Sequence, residues 1–349
     1  MKMFPAILAG VILSFSAGQC VAQTQQSCEA APSEAYPDIP PQMVWVDTDI
    51  GDDIDDAFAL GLVLRSPELQ LLGISTAFGE TETRANLVDR FLGSLQNRSL
   101  LSIPVTAGVH TKTDNVMTQV AYARLQPGHK HADGVEALLK QIRLHPYKIT
   151  LLAIGPLFNI AAAIDKDPKT FKKLCRVVMM GGSINRGYDG PNGEHRPPDA
   201  EWNINRDPAG AAKLFASGVQ IYVLPLDSTQ IHLEAAERTV LFSEGDPMTD
   251  QISLLYNQWV AHTANHSPTP TLFDPLAAAF TFRPELCPST AMHIEVDSKG
   301  FTNRTAGVPN AEVCLKSDED NFLLLLAGRL EGRELKGFVR SAKGFTEIR

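Results

Sequence analysis

Short, continuously apolar runs alternate along this chain with segments whose apolar residues recur every three to four positions. MVWVDTDI (43–50), LQLLGISTA (69–77), YKITLLAIG (147–155), CRVVMMGG (175–182) and QIYVLPLD (220–227) are the principal runs. Apolar on both faces, they read as strands of a parallel sheet covered on both sides. AFALGLVLRS (57–66), RANLVDRFLGSL (84–95), PLFNIAAAI (156–164) and DPAGAAKLFAS (207–217) lie between them and read as helices, and IPVTAG (103–108) as one more strand. The alternation predicts an α/β fold with a mostly parallel open sheet and helices on both faces. From about Leu233 to Phe282 the pattern turns helical, IEVDSKG and AEVCLKS predict a two-stranded addition, and DNFLLLLAGRL (320–330) a closing helix. No repeat or linker interrupts residues 43–349, so this stretch reads as one domain.

The amino-terminal stretch breaks the pattern. MKMFPAILAGVILSFSAGQCVAQ carries one lysine, an apolar run from Phe4 to about Ala17 and small residues ending at Ala22. This predicts a secretory leader, residues 1–22, and an exported protein. The run is shorter than the ~20 apolar residues a spanning helix needs, and no later segment is long enough. Cys20 allows a lipoprotein reading, which Gln19 just before it fits poorly. Residues 23–42, rich in Gln, Ser, Glu and Pro, read as a flexible lead-in. Export permits disulfides, and Cys287 with Cys314, both in the carboxyl-terminal part, is the pair to test.

Charge narrows the chemistry. Thirty-one Lys and Arg stand against forty Asp and Glu, a net charge of −9, which argues against a nucleic-acid partner. The acidity has a local focus: Asp47, Asp49, Asp52, Asp53, Asp55 and Asp56 fall within ten residues. They sit between a strand's carboxyl end and a helix's amino end, the ligand-binding crevice of an open α/β sheet. Helix capping accounts for one or two aspartates. Six together raise one another's pKa unless a cation neutralises them, and an all-oxygen set selects Ca²⁺ or Mg²⁺.

This loop resembles the first motif, Asp-x-Asp-x-Gly-x-Asp-Asp-Ala, of the calcium-dependent nucleoside hydrolases, the inosine-uridine-preferring group. The resemblance runs from about residue 43 to 330. Anchored on Asp55-Asp56-Ala57, the loop is two residues longer than the family pattern, and Asp52 and Asp53 stay open as substitutes. Ala153-Ile154-Gly155-Pro156-Leu157-Phe158-Asn159, Met180-Gly181-Gly182, Glu201-Trp202-Asn203, Asp207-Pro208, Leu226-Asp227 and Phe273-Asp274-Pro275-Leu276 follow in the family's order. The resemblance implies a nucleoside hydrolase-like, Rossmann-like domain that hydrolyses the N-glycosidic bond of a small-molecule ribonucleoside. It implies Ca²⁺ held by Asp49, Asp56, Asp274 and the Ile154 carbonyl, with Asp55 as general base and Glu201 and Asn203 on the sugar. Read without the resemblance, Asp274-Pro275 is simply a helix start with Asp as N-cap.

Two positions depart from the family. Phe273 stands where it has a His often assigned as leaving-group acid, and a phenyl ring donates no proton. Trp202 and Trp259 could stack on the base instead, and His262 and His266 are candidate acids, against ordinary core and surface roles for these residues. Glu80 replaces an Asn that contacts ribose and can only accept hydrogen bonds while ionised. These departures motivate a competing expectation, an exported calcium-dependent nucleoside-binding protein with weak or no hydrolysis. A haloacid-dehalogenase-type phosphatase, suggested by Asp47-Thr48-Asp49, is disfavoured by Gly51 where that motif needs Thr or Val. Base preference is not legible, and a homo-oligomeric state is left open.

Overall fold

The structure, a computed structural model, describes residues 40–349 apart from 191–192, 263–267, 334, 336–337, 342–343 and 348–349. The leader, nearly all of the lead-in, Cys20, Cys28 and His266 lie outside the described residues.

Twelve strands follow one another among the described residues: β1 (Gln42–Thr48), β2 (Leu69–Thr76), β3 (Val105–Ala107), β4 (Ala132–Asp133), β5 (Ile149–Ile154), β6 (Arg176–Met180), β7 (Ile221–Leu224), β8 (Ser289–Val296), β9 (Thr302–Thr305), β10 (Ala311–Cys314), β11 (Phe338–Ser341) and β12 (Gly344–Glu347). The first ten form one sheet in the order β4-β3-β2-β1-β5-β6-β7-β10-β8-β9, parallel from β4 through β10 and antiparallel for β8 and β9. The mostly parallel α/β sheet is as expected, but the carboxyl-terminal addition is not a separate pair. β10 pairs in parallel with β7 and so continues the main sheet, while β11 and β12 form their own hairpin. AEVC is short and reads as an edge because periodicity carries no record of a partner some ninety residues earlier.

Period-two alternation in β1 assigns its side chains to opposite layers. Val44 and Val46 enter one core with Phe58, Leu62 and the helix Phe273–Phe280, and Trp45 enters the other with Leu151, Ile160 and Phe171. Thr48 therefore shares a face with Val46, and Asp47 with Trp45. The chain runs outward from β1 through β2, β3 and β4, then returns to place β5 on β1's other flank, with Thr48 beside Ile154. That reversal opens a crevice at the strands' carboxyl ends. Cys287 and Cys314, Cα atoms 5.6 Å apart, form a disulfide that ties the end of β10 to the segment before β8.

Candidate active site

The crevice is a cavity of about 470 Å³ lined by the acidic loop, the end of β5, the loop after β6 and the starts of two helices. Helix α1 (Asp55–Leu64) begins directly after the loop, so Asp55 and Asp56 occupy its first turn, where free N–H groups and the helix dipole favour carboxylates. Asp274 does the same for the helix Phe273–Phe280. It is not that helix's N-cap, a position Leu272 takes. Its backbone N–H donates to Asp55 Oδ2 at 3.2 Å, joining the two helix starts.

Carboxylate oxygens of Asp55, Asp56 and Asp274 lie within 4.8 Å of one another, and all three side chains are buried. Burial raises each pKa well above the ordinary carboxylate range. The neighbouring Asp53 adds to this at Asp55, Asp49 and Asp55 at Asp56, and Asp55 and Asp56 at Asp274. Asp49 joins them at the end of β1. Burial pushes it up to about 7, against the lowering effect of Arg84. A β-carbon on Gly155 would stand 2.8 Å from Asp49 N and 3.0 Å from its Oδ1, so glycine is what lets the β5 loop close on the acidic loop. Three or four buried carboxylates this close cannot all ionise unaided, and hard oxygen donors suit a divalent cation. The residues present therefore fit a metal.

Asp47 does not belong to this cluster. On Trp45's face of the sheet, it accepts from Ser75 Oγ and, at 2.7 Å, from Asn159 Nδ2, while Trp45 Nε1 donates to the same Ser75 at 2.9 Å. Burial lifts it to about 6. Asp52 lines the cavity, but its Oδ2 accepts from Arg84 Nη2 at 2.8 Å and from Asn115 Nδ2. Asp53 also lines the cavity, and its Oδ1 caps the Ile54 N–H at 2.7 Å.

Arg84 organises the loop. Buried on α2 (Thr81–Ser94), it donates to the carbonyls of Phe78 (2.8 Å), Ile50 (3.0 Å) and Asp49 as well as to Asp52. Thr118 Oγ1 and Gln119 Nε2 hold the Asp52 and Asp53 carbonyls from the other side. The longer loop is thus built around an arginine that helix periodicity alone marks only as a polar residue. Arg84→Gln leaves Asp52 with Asn115 alone and strands three carbonyls, so denaturant unfolding in chelator should show a loss of about 3 kcal/mol. An unchanged midpoint would assign the loop's shape to the 115–119 segment instead.

Glu201 caps the helix Trp202–Arg206, accepting from the N–H groups of Gly182 (2.9 Å), Asn203 (2.9 Å) and Ile204 (3.2 Å). Burial outweighs these three donors and raises it to about 7. Asn203 donates to the Met180 carbonyl at 3.2 Å, and both side chains line the cavity. Trp202 also lines it, its side chain helping to lower the Asp49 pKa, with the Arg206 guanidinium 3.7 Å over its ring. Trp259 and Phe273 complete the wall.

Glu80 and His262 are not brought to this cavity. Glu80 is the N-cap of α2 with its side chain 72% exposed, and His262 turns back to the Gln258 carbonyl of its own helix at 2.8 Å. Tyr188, unremarked in the sequence, is brought there. Asp227 accepts from the N–H groups of Ile184 and Asn185, anchoring the loop that carries Tyr188. The Tyr188 ring meets Phe273 edge-on at 6.1 Å, and its oxygen accepts the Trp202 N–H at 3.0 Å. A tyrosine in a Gly/Pro-rich loop has no periodicity to betray it.

An acidic, metal-fitting cavity at the switch point of a parallel sheet is the site of a metal-dependent protein of the α/β class. Residues 44–323 match the family model of the inosine-uridine preferring nucleoside hydrolases, and the chain belongs to that family. The pyrimidine-specific ribonucleoside hydrolases RihA of Citrobacter koseri and Escherichia coli K12 are each 29% identical, over 79% of this chain and 94% and 95% of theirs. A solved plant nucleoside hydrolase superposes with a TM-score of 0.72 at 25% identity, covering 84% of this chain and 99% of that one. An inosine-uridine preferring nucleoside hydrolase from Bacillus anthracis (TM-score 0.67, 22% identity, 83% and 99% covered) shares the fold.

Proposed function

We propose that this protein hydrolyses the N-glycosidic bond of ribonucleosides to free base and ribose, with Ca²⁺ as its metal and Asp55 as general base. The observation that carries this is the buried trio Asp55, Asp56 and Asp274 within 4.8 Å in the cavity. Asp49, Asp56, Asp274 and the Ile154 carbonyl would hold the ion, which supplies a template for the sugar hydroxyls and acidifies the attacking water. Asp55 takes that water's proton, its second oxygen steadied by the Asp274 N–H. Asn203 orients the sugar, and the capped Glu201 accepts from it. The surrounding carboxylates favour the positive charge that develops on the ribose as the bond breaks.

Phe273 donates nothing to the departing base, so the donor must be another group. Tyr188 fits, since its oxygen is engaged as acceptor from Trp202 and its own hydrogen is left to point at the leaving group. Trp259 and Phe273 offer aromatic faces to the base. Trp202 serves as a positioning residue for Asp49, one of its faces being taken by Arg206. Tyr188→Phe should lower kcat/KM on nucleosides about tenfold, the worth of one hydrogen bond. It should do so far less on p-nitrophenyl riboside, whose leaving group needs no proton. Equal losses on both substrates would make Tyr188 a wall residue.

The leader 1–22 and the Cys287–Cys314 disulfide support export. The decisive assay incubates the protein with Ca²⁺ and a panel of ribonucleosides and measures reducing sugar. Calcium-dependent nucleoside binding with sugar at background would overturn the hydrolase reading.

A further inference from the structure

Glu82, Asn86 and Asp89 lie on one face of α2 at helical spacing. The segment before β4 lies along that face, its backbone tied down by His129 N–H to Asn86 Oδ1 (3.1 Å) and His131 N–H to Glu82 Oε2 (3.1 Å). This docking brings both imidazoles to one carboxylate oxygen. His131 Nε2 stands 2.8 Å and His129 Nε2 3.4 Å from Asp89 Oδ2, and the two rings are 4.2 Å apart. His131 is almost fully buried, its side chain only 2% exposed, and its other nitrogen, Nδ1, meets Glu82 Oε2 at 2.8 Å.

We propose that His129 Nε2, His131 Nε2 and Asp89 Oδ2 form a binding site for a divalent transition metal of the zinc class. Four features of the geometry support it. The ligand atoms lie within 4.8 Å of one another, and the His129–Asp89 separation matches the ~3.4 Å edge of a tetrahedron with bonds of about 2.05 Å. Two imidazoles with one carboxylate are the donor set that zinc, copper and nickel prefer and calcium does not. Glu82 accepts from His131 Nδ1, the carboxylate–histidine arrangement that fixes the tautomer and aims Nε2 at a metal. His129 is 63% exposed and leaves one side open, so the fourth position would be filled by water or an incoming ligand.

The test uses the full folded protein, stripped with chelator, saturated with Ca²⁺ to fill the acidic cavity, and titrated calorimetrically with Zn²⁺ alone. Co²⁺ in place of Zn²⁺ gives a visible absorption signature of its coordination. One equivalent of Zn²⁺ is expected, with affinity falling at least tenfold in His129→Ala, whose exposed side chain contributes little to folding. Glu82→Gln, which touches no metal, should weaken binding by about ten- to a hundredfold. Both variants should keep wild-type calcium-dependent nucleoside cleavage. Absence of a Zn²⁺ equivalent in the calcium-saturated wild type, or unchanged affinity in His129→Ala, would overturn the site and leave a proton-held triad.

Discussion

Replacing Asp55 with Asn lowers kcat for nucleoside cleavage about a thousandfold, within the usual worth of a positioned general base, while the protein stays folded. The side chain keeps its volume, and its amide oxygen can still take the Asp274 N–H that now reaches Oδ2. What disappears is the proton acceptor and one negative charge in a buried cluster whose members already raise each other's pKa. The variant should therefore melt at or above the wild-type temperature in chelator, since a like-charge neighbour has been removed. Activity and stability moving in opposite directions mark a residue held for chemistry at a cost to the fold. Activity within tenfold of wild type would move the base to Asp53. Asp52 is the weaker substitute, because Arg84 and Asn115 both occupy its Oδ2.

The acidic loop was legible because carboxylate crowding is a chemical anomaly in any sequence. Its place at a strand's carboxyl end followed from the apolar runs on either side. Which aspartates face the cavity was a matter of register. Asp47 and Asp49 look equivalent in one dimension, yet β1's alternation turns Asp47 toward Asn159 and Ser75, and the strand ends before Asp49. Arg84 and Tyr188 were not legible for a different reason. Each acts through contacts 14 to 35 residues away in sequence and set by how α2 and the loop after β6 pack, which local pattern does not encode. Glu80 shows the converse. Its position next to Gly79 suggested a sugar contact, but the left-handed turn at Phe78 and Gly79 carries it outward as the cap of α2. In sequence β10 reads as a separate addition because its parallel partner, β7, lies far back in the chain.

Chelated protein loses stability as pH rises from 5 to 8, the reverse of an ordinary acidic protein, and Ca²⁺ cancels the loss. In the folded state burial pushes Glu201 up from 4.5 to about 7 and Asp49 from 3.8 to about 7, and raises Asp55, Asp56 and Asp274 well above the ordinary carboxylate range. Between these values the folded state keeps protons the unfolded chain has released. More protons on the folded state means that stability falls with pH. The stabilisation is complete below about pH 4 and is lost as pH passes through the raised folded-state values, about 7 for Glu201 and Asp49. Glu201 alone, fully buried and pushed from 4.5 up to about 7, accounts for roughly 3 kcal/mol. With the aspartates added, the melting temperature in chelator should drop by about 10 °C across the window. A cation binds only the deprotonated cluster, so its stabilisation grows by mass action over the same range. Calorimetric scans at pH 5, 6, 7 and 8, with chelator and with millimolar Ca²⁺, should show two curves that nearly meet at pH 5 and diverge upward. A chelator curve that is flat or rises with pH would mean that these carboxylates are solvated, and the metal would then have no buried charge to compensate.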